Sequence, residues 1–302
     1  MFYSKIKTSA LLLALILPCF AHHADAQINV FACEPEWAAL TRALGADKVT
    51  VTSATTAMQD PHHIQARPSL IAKMRRADLL VCTGADLEIG WLPLLLRKSG
   101  NGSVQPGQSG HFMAANYVAL LEKPAKLDRS LGDIHAAGNP HFHLDPERIL
   151  KVSVALADTL ATVDPDNQSY YQNNLAIFTQ QWQEAIQQWQ LRSQSLRGKR
   201  IAVSHNNWVY LESWLGLTQV ATLEPKPGIP ASSAHLSKIL TRLKQTPVSM
   251  LLYASYQSDK SARWLTQKTT TPAVALPLSP AKGETLVQWF DRLLNQLLSI
   301  QS

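Results

Sequence analysis

Two rhythms of apolar positions alternate along most of the chain. Short, largely apolar runs at residues 28–32 and 77–82 have the length and composition of buried strands, and residues 48–53 read as another strand. Between them lie segments with helical spacing, at 35–44, 69–76 and 87–98, the last rich in Leu and Trp. Residues 101–110, heavy in Gly, Ser and Gln, predict a loop. Residues 145–163 then give a helix with apolar positions at Ile149, Val152, Val154, Leu156, Leu160 and Ala161. Asp145 is its expected cap, and Pro146 suits its first position.

A longer helix follows over 170–196, with Leu175, Phe178, Trp182, Ile186 and Trp189 spaced by threes and fours. At 1.5 Å per residue it would span roughly 40 Å, longer than one small domain needs. Packing on a single domain is one reading; a strut between two lobes is preferred, because the strand–helix rhythm starts again after it. Strands are predicted at 200–204, 218–223, 249–254 and 273–278. Helices are predicted at 206–215, 234–245 (capped by Ser232 or Ser233), 258–267 and 285–298. Strands alternating with helices predict the α/β class: two lobes, each with a parallel-type sheet flanked by helices, bridged by one long helix. Ligands in such sheets bind beyond the carboxyl ends of the strands.

The amino terminus does not belong to this pattern. Lys5 and Lys7 precede the apolar run 10–17, and Ala24-Asp25-Ala26 has the form of a signal-peptidase site, so cleavage is expected before Gln27. Pro18 and Phe20 on either side of Cys19 argue against lipid attachment there. The expected organisation is a signal peptide at 1–26, a first lobe at 27–165, a connecting helix at 166–198 and a second lobe at 199–302. The formal charge of +6 is dispersed, with no run beyond short pairs such as Arg75-Arg76. That excludes a nucleic-acid stripe and a polybasic membrane patch. No later apolar segment is long enough for stable membrane insertion. Cys33 and Cys82 each end an apolar strand; if the strands are neighbours, an oxidising compartment permits a disulfide, the alternative being two buried thiols.

His62, His141 and His205 each follow a strand or precede a helix, on the edge where α/β ligands collect. Three neutral imidazoles suit zinc, which takes nitrogen ligands tetrahedrally and leaves one position over. Manganese or magnesium would call for more carboxylate oxygen. Asp60, two residues before His62, is placed to accept its second ring proton. There is no H-E-x-x-H and no cysteine cluster, so no single metal motif stands alone.

At these residues the chain resembles the solute-binding proteins of metal-uptake ABC transporters, of the zinc-binding kind with a C-clamp shape. The resemblance is carried by Asp60-Pro61-His62 with Arg67-Pro68-Ser69, and by residues 77–88. It continues through Asn139-Pro140-His141 to Asp145-Pro146, Val203-Ser204-His205 to Tyr210, and Glu224-Pro225-Lys226-Pro227-Gly228. It covers nearly all of residues 27–302 in order. It implies two lobes bridged by a rigid helix and a metal in the cleft, with His62 and His141 from the first lobe and His205 from the second. It also implies a transported Zn2+, with Mn2+ less suited, a monomeric carrier that is not an enzyme, and a membrane permease as partner.

Two departures stand out. Where the family often has a carboxylate ligand after the last strand, this chain reads Leu276-Pro277-Leu278-Ser279-Pro280. The fourth position is therefore water, Glu284 or another acid such as Asp259. The histidine-rich acidic loop of some zinc members is also missing, residues 100–130 holding only His111. His63, His135 and His143 stay open as second partners, weak sites or alternative ligands, with solvated or packing roles favoured for His63 and His143. A secreted zinc hydrolase built on the same three histidines is the rival function, although neither His141 nor His205 has an acid beside it in sequence to act as base. An adhesin-like surface protein is a third, without any repeat or anchor to support it.

Overall fold

The computed structural model describes residues 27–124 and 135–301. The expected signal peptide at 1–26 lies outside them. The first sheet comprises β1 (Ile28–Ala32), β2 (Val49–Ser53), β3 (Leu79–Cys82) and β4 (His111–Met113), in the order β2-β1-β3-β4, every pair parallel. The second comprises β5 (Arg200–Val203), β6 (Thr218–Thr222), β7 (Met250–Ala254) and β8 (Ala273–Leu276), in the order β6-β5-β7-β8, again parallel throughout. The two sheets thus repeat one topology, and in each the chain reverses direction beside the first strand. Such a reversal opens a crevice at the carboxyl ends of the strands.

Helices α1 (Pro35–Gly45), α2 (Pro68–Met74), α3 (Leu92–Ser99) and α4 (Pro146–Val163) belong to the first half. The long α5 (Gln168–Arg192) is followed by α6 (Val209–Leu215), α7 (Ser233–Gln245), α8 (Lys260–Thr269) and α9 (Leu286–Leu298). Two caps lie where the sequence puts them, Asp145 accepting from the Glu147 amide and Ser232 from that of His235; Thr285, expected inside the last helix, instead caps it in a capping box with Gln288.

Alternation along the strands divides the interior into layers. Val30, Ala32, Leu79 and Val81 face one way and join Ile201, Val203, Met250 and Leu252 of the other sheet in a single core. Phe31 and Leu80 face the opposite way, toward Leu70 and Met74 of α2 and Leu95 of α3. Ala202 and Leu251 likewise face Leu236 of α7 and Leu265 of α8. The middle layer of α1, α4, α5, α6 and α9 is therefore common to both lobes. Five buried residues of α5, Tyr171, Phe178, Trp182, Ile186 and Trp189, point into it. Trp182 and Trp189 meet edge to face at 5.0 Å, and Trp189 lies 4.7 Å from Phe290 of α9. The strut of the sequence reading is thus a packed element of the core rather than a bare connector, and at 25 residues it spans roughly 37 Å.

Some boundaries differ from expectation. The long helix stops at Arg192, and residues 194–196 form a tighter 3-10 turn. The helix expected from residue 87 begins at Leu92, because Gly84, Ala85 and Asp86 all take positive φ and turn the chain first. The helix expected from residue 206 begins at Val209. Strand β4, three residues long, falls beyond the expected loop and shows too little alternation to be seen. Cys33 and Cys82 are joined in a disulfide between the ends of adjacent β1 and β3, as the strand ends predict. Trp37, Trp91 and Trp208 are buried packing residues.

Candidate metal centre

His62 lies in the loop between β2 and α2. Asp60 shapes that loop, accepting through Oδ1 from the His62 backbone amide at 3.0 Å and from ring Nδ1 at 2.8 Å. The ring is thereby fixed with its proton on Nδ1 and its Nε2 lone pair on the cleft side, 3.3 Å from Nε2 of His135. Trp91 ties the loop down from below, its indole donating to the Pro61 carbonyl at 2.9 Å. Burial acts to raise the Asp60 carboxyl, but the hydrogen bond and charge of His62 outweigh it and hold the group below its usual range.

His141 opens the turn into α4. Its amide donates to Asn139 Oδ1 at 3.0 Å, and the Asn139 side-chain amide donates to the Asn206 carbonyl at 2.8 Å. The Tyr210 hydroxyl donates to the Asn139 carbonyl at 2.7 Å. The loop that carries His141 is therefore pinned to the other lobe. The ring of His141 is 1% exposed, and neither of its nitrogens has a hydrogen-bond partner in the protein. Buried polar atoms without partners are rare enough to demand an explanation, and a metal would supply one. Burial, reinforced by His62, His143, His205 and His135, holds this imidazole well below its ordinary pKa, so it is neutral and ready to ligate.

His205 stands just past the end of β5, and Glu224 just past β6, the neighbouring strand. Nδ1 of His205 donates to Glu224 Oε2 at 2.7 Å, and the same oxygen accepts from the Gly228 amide at 3.0 Å. Asp60–His62 and Glu224–His205 are thus equivalent pairs, one in each lobe. In both, the carboxylate orients an imidazole through Nδ1.

The three rings converge. His62 lies 5.5 Å from His141 and 5.9 Å from His205, centre to centre, and His141 lies 6.2 Å from His205. One ring nitrogen from each falls within 4.8 Å of the others. All three predicted ligands are therefore brought together. The acids offered for the fourth position are engaged elsewhere. Glu284 accepts from Arg292 Nε at 2.8 Å and Nη2 at 2.6 Å, and Asp259 pairs with Arg263 one turn along α8. His143 is not solvated. It is buried, donates from Nε2 to the Leu278 carbonyl at 3.0 Å and stacks on Trp289, which makes it an interlobe packing residue. His63 is exposed.

Glu224 was missed as a partner by sequence reasoning, although the rigid segment after β6 marked the place. The parallel pairing of β5 with β6 is what puts it opposite His205.

The chain is 22% identical over 241 residues to the manganese ABC transporter substrate-binding lipoprotein PsaA of Streptococcus pneumoniae, covering 78% of this chain and 74% of that protein. It is 25% identical to the high-affinity zinc uptake system protein ZnuA of Bacillus subtilis, over 74% of this chain and 69% of that one. A crystal structure of ZnuA superposes with a TM-score of 0.75 at 22% identity, covering 91% of this chain and 98% of that chain. A manganese-bound periplasmic metal-binding protein from Candidatus Liberibacter asiaticus superposes at 0.73 with 17% identity, over 90% and 99% of the two chains. The family model described as zinc-uptake complex component A, periplasmic, matches residues 30–300. Such proteins are metal-binding components of ABC transporters and not enzymes, which sets the hydrolase reading aside. The chain belongs to the family of periplasmic A components of zinc-uptake complexes.

Proposed function

We propose that this protein captures zinc in the periplasm through His62, His141 and His205 and delivers it to the membrane permease of an ABC importer. The single observation that carries the reading is the meeting of three imidazoles from two lobes around His141, whose buried ring nitrogens have no other partner. No carboxylate stands among these three, and the two nearest in role, Asp60 and Glu224, are spent on imidazole Nδ1 atoms. An all-nitrogen set suits zinc, whereas manganese favours oxygen.

The same reading divides the chain into a first lobe at 27–165, a connecting helix at 166–198 and a second lobe at 199–302, acting as a monomer without nucleic acid. Export follows from Lys5, Lys7, the apolar run and Ala24-Asp25-Ala26, with cleavage before Gln27. Among the described residues no helix is long and apolar enough to cross a membrane.

Nearly any such site ranks zinc above manganese in a simple titration. The decisive experiment therefore recovers the protein from cells grown with manganese in large excess and measures its metal content. Zinc at one atom per chain is expected. Manganese in its place would overturn the assignment.

A further inference from the structure

Three imidazoles leave a tetrahedral ion one donor short, and the acids that might complete it are held by Arg292 and Arg263. One more imidazole borders the same cleft, outside the three nitrogens that lie within 4.8 Å of one another. His135 Nε2 lies 3.3 Å from His62 Nε2, with the rings 5.3 Å apart and tilted by 41°. His135 also shares a cleft with His141, His205, Asn139 and Glu122, whose carboxylate is taken up by the side-chain amides of Asn139 at 3.1 Å and Asn206 at 2.7 Å. Two nitrogens bound to one tetrahedral zinc at ~2.0–2.1 Å stand about 3.3–3.4 Å apart. The pair already has that separation.

The tautomer of His62 sharpens the point. Its Nδ1 proton goes to Asp60, so its Nε2 carries a lone pair aimed at His135 Nε2. Two lone pairs at this range repel unless a proton or a metal ion lies between them. With both rings neutral, a proton on His135 Nε2 would meet that lone pair; moving it to Nδ1 frees His135 Nε2 for an ion, with no change in net charge.

The backbone that presents His135 is anchored. The Ala136 amide donates to Asp86 Oδ2 at 3.3 Å, the Gly138 amide to the His135 carbonyl at 3.2 Å, and the Asn139 amide to the Leu121 carbonyl at 2.8 Å. Gly138 has φ +123°, and a Cβ there would come within 2.7 Å of the Leu121 carbonyl oxygen, so only glycine lets the strand of chain lie this close.

We propose that His135 is the fourth ligand, giving a site of four imidazoles from both lobes. This rests on the reading of His62, His141 and His205 as ligands. Such a site has no oxygen donor, which favours zinc further and excludes bound water from the ion.

The test uses the full mature chain with Zn2+ and, as a spectroscopic substitute, Co2+. His135→Ala and His135→Gln are each compared with His62→Ala, with apo melting curves recorded to establish that every variant is folded. Both His135 variants should weaken zinc at least about 10-fold, the lower end of what loss of even an outer-shell partner costs. Both should also shift the cobalt d–d bands as nitrogen is replaced by water. His135→Gln keeps a hydrogen-bond donor for His62, so recovery of the wild-type bands and affinity in that variant would mean a hydrogen-bonding role and overturn the proposal. So would wild-type bands and affinity in His135→Ala. If His62→Ala leaves zinc affinity unchanged as well, the three-histidine reading itself has failed; if only the His135 variants are silent, the fourth ligand alone is wrong.

Discussion

Glu224 accepts from the ring of His205 across 19 residues of chain, at 2.7 Å, and so repeats in the second lobe what Asp60 does to His62 in the first. Each carboxylate fixes a tautomer and makes its imidazole a better donor. Glu224→Gln and Asp60→Asn should each weaken zinc by about 10–100-fold while the protein still takes one ion. Chelator competition on the purified variants checks this, and unchanged affinity in both would count against the pairing.

His205→Ala should cost far more zinc affinity than His143→Ala. The first removes a proposed donor from the second lobe. The second leaves the buried Leu278 carbonyl without its partner and opens space beside Trp289, so its cost should fall on stability, at roughly 1–3 kcal/mol. Competition assays and urea melts run on both variants separate the two effects, and equal zinc loss from each would contradict the assignment.

The Cys33–Cys82 bridge closes a loop between residues 49 apart in sequence. Replacing both cysteines with serine should lower stability by roughly 2–4 kcal/mol. The chain cleaved before Gln27, denatured without reductant, should show no free thiol; two would contradict the bridge.

Metal-free stability should fall in acid because of His141. Its folded-state pKa is depressed, first by burial and then by the neighbouring histidines. Above ~6.5 neither state protonates it, and its contribution to stability is intact. Below that value the unfolded chain takes up a proton that the folded protein refuses, so stability declines until the pH passes the depressed folded value. The slope is at most about 1.4 kcal/mol per pH unit. Urea unfolding in the presence of a chelator, from pH 7.5 to 5, should give a smaller pH dependence for His141→Phe than for the wild-type chain. Parallel curves would show that His141 is not the cause.

How far the sequence announces this arrangement depends on how local each signal is. The elements around the long helix were legible because the apolar residues Phe178, Trp182, Ile186 and Trp189 mark one face by spacing alone. Asp60 was legible as a partner for the same reason, lying two residues from its histidine. Glu224 was not, since its place opposite His205 exists only once β5 and β6 pair. Glu284 looked available until its arginine, Arg292, came round one face of α9 to meet it. His143 looked like a loop histidine, and only the return of Leu278 from the last strand buries it. The common middle layer was invisible too, because an apolar stripe records that a residue is buried and not which lobe covers it.

That common layer separates two properties that proteins often cannot alter independently. Trp182, Trp189 and Phe290 secure the lobes to each other, while the proposed donors stand on loops beyond the strand ends, outside that apolar layer. A proposed donor can therefore be exchanged at less cost to the fold than a residue of that layer. Frames of this shape occur in a ZnuA structure and in one solved with manganese, so the frame by itself does not name the ion.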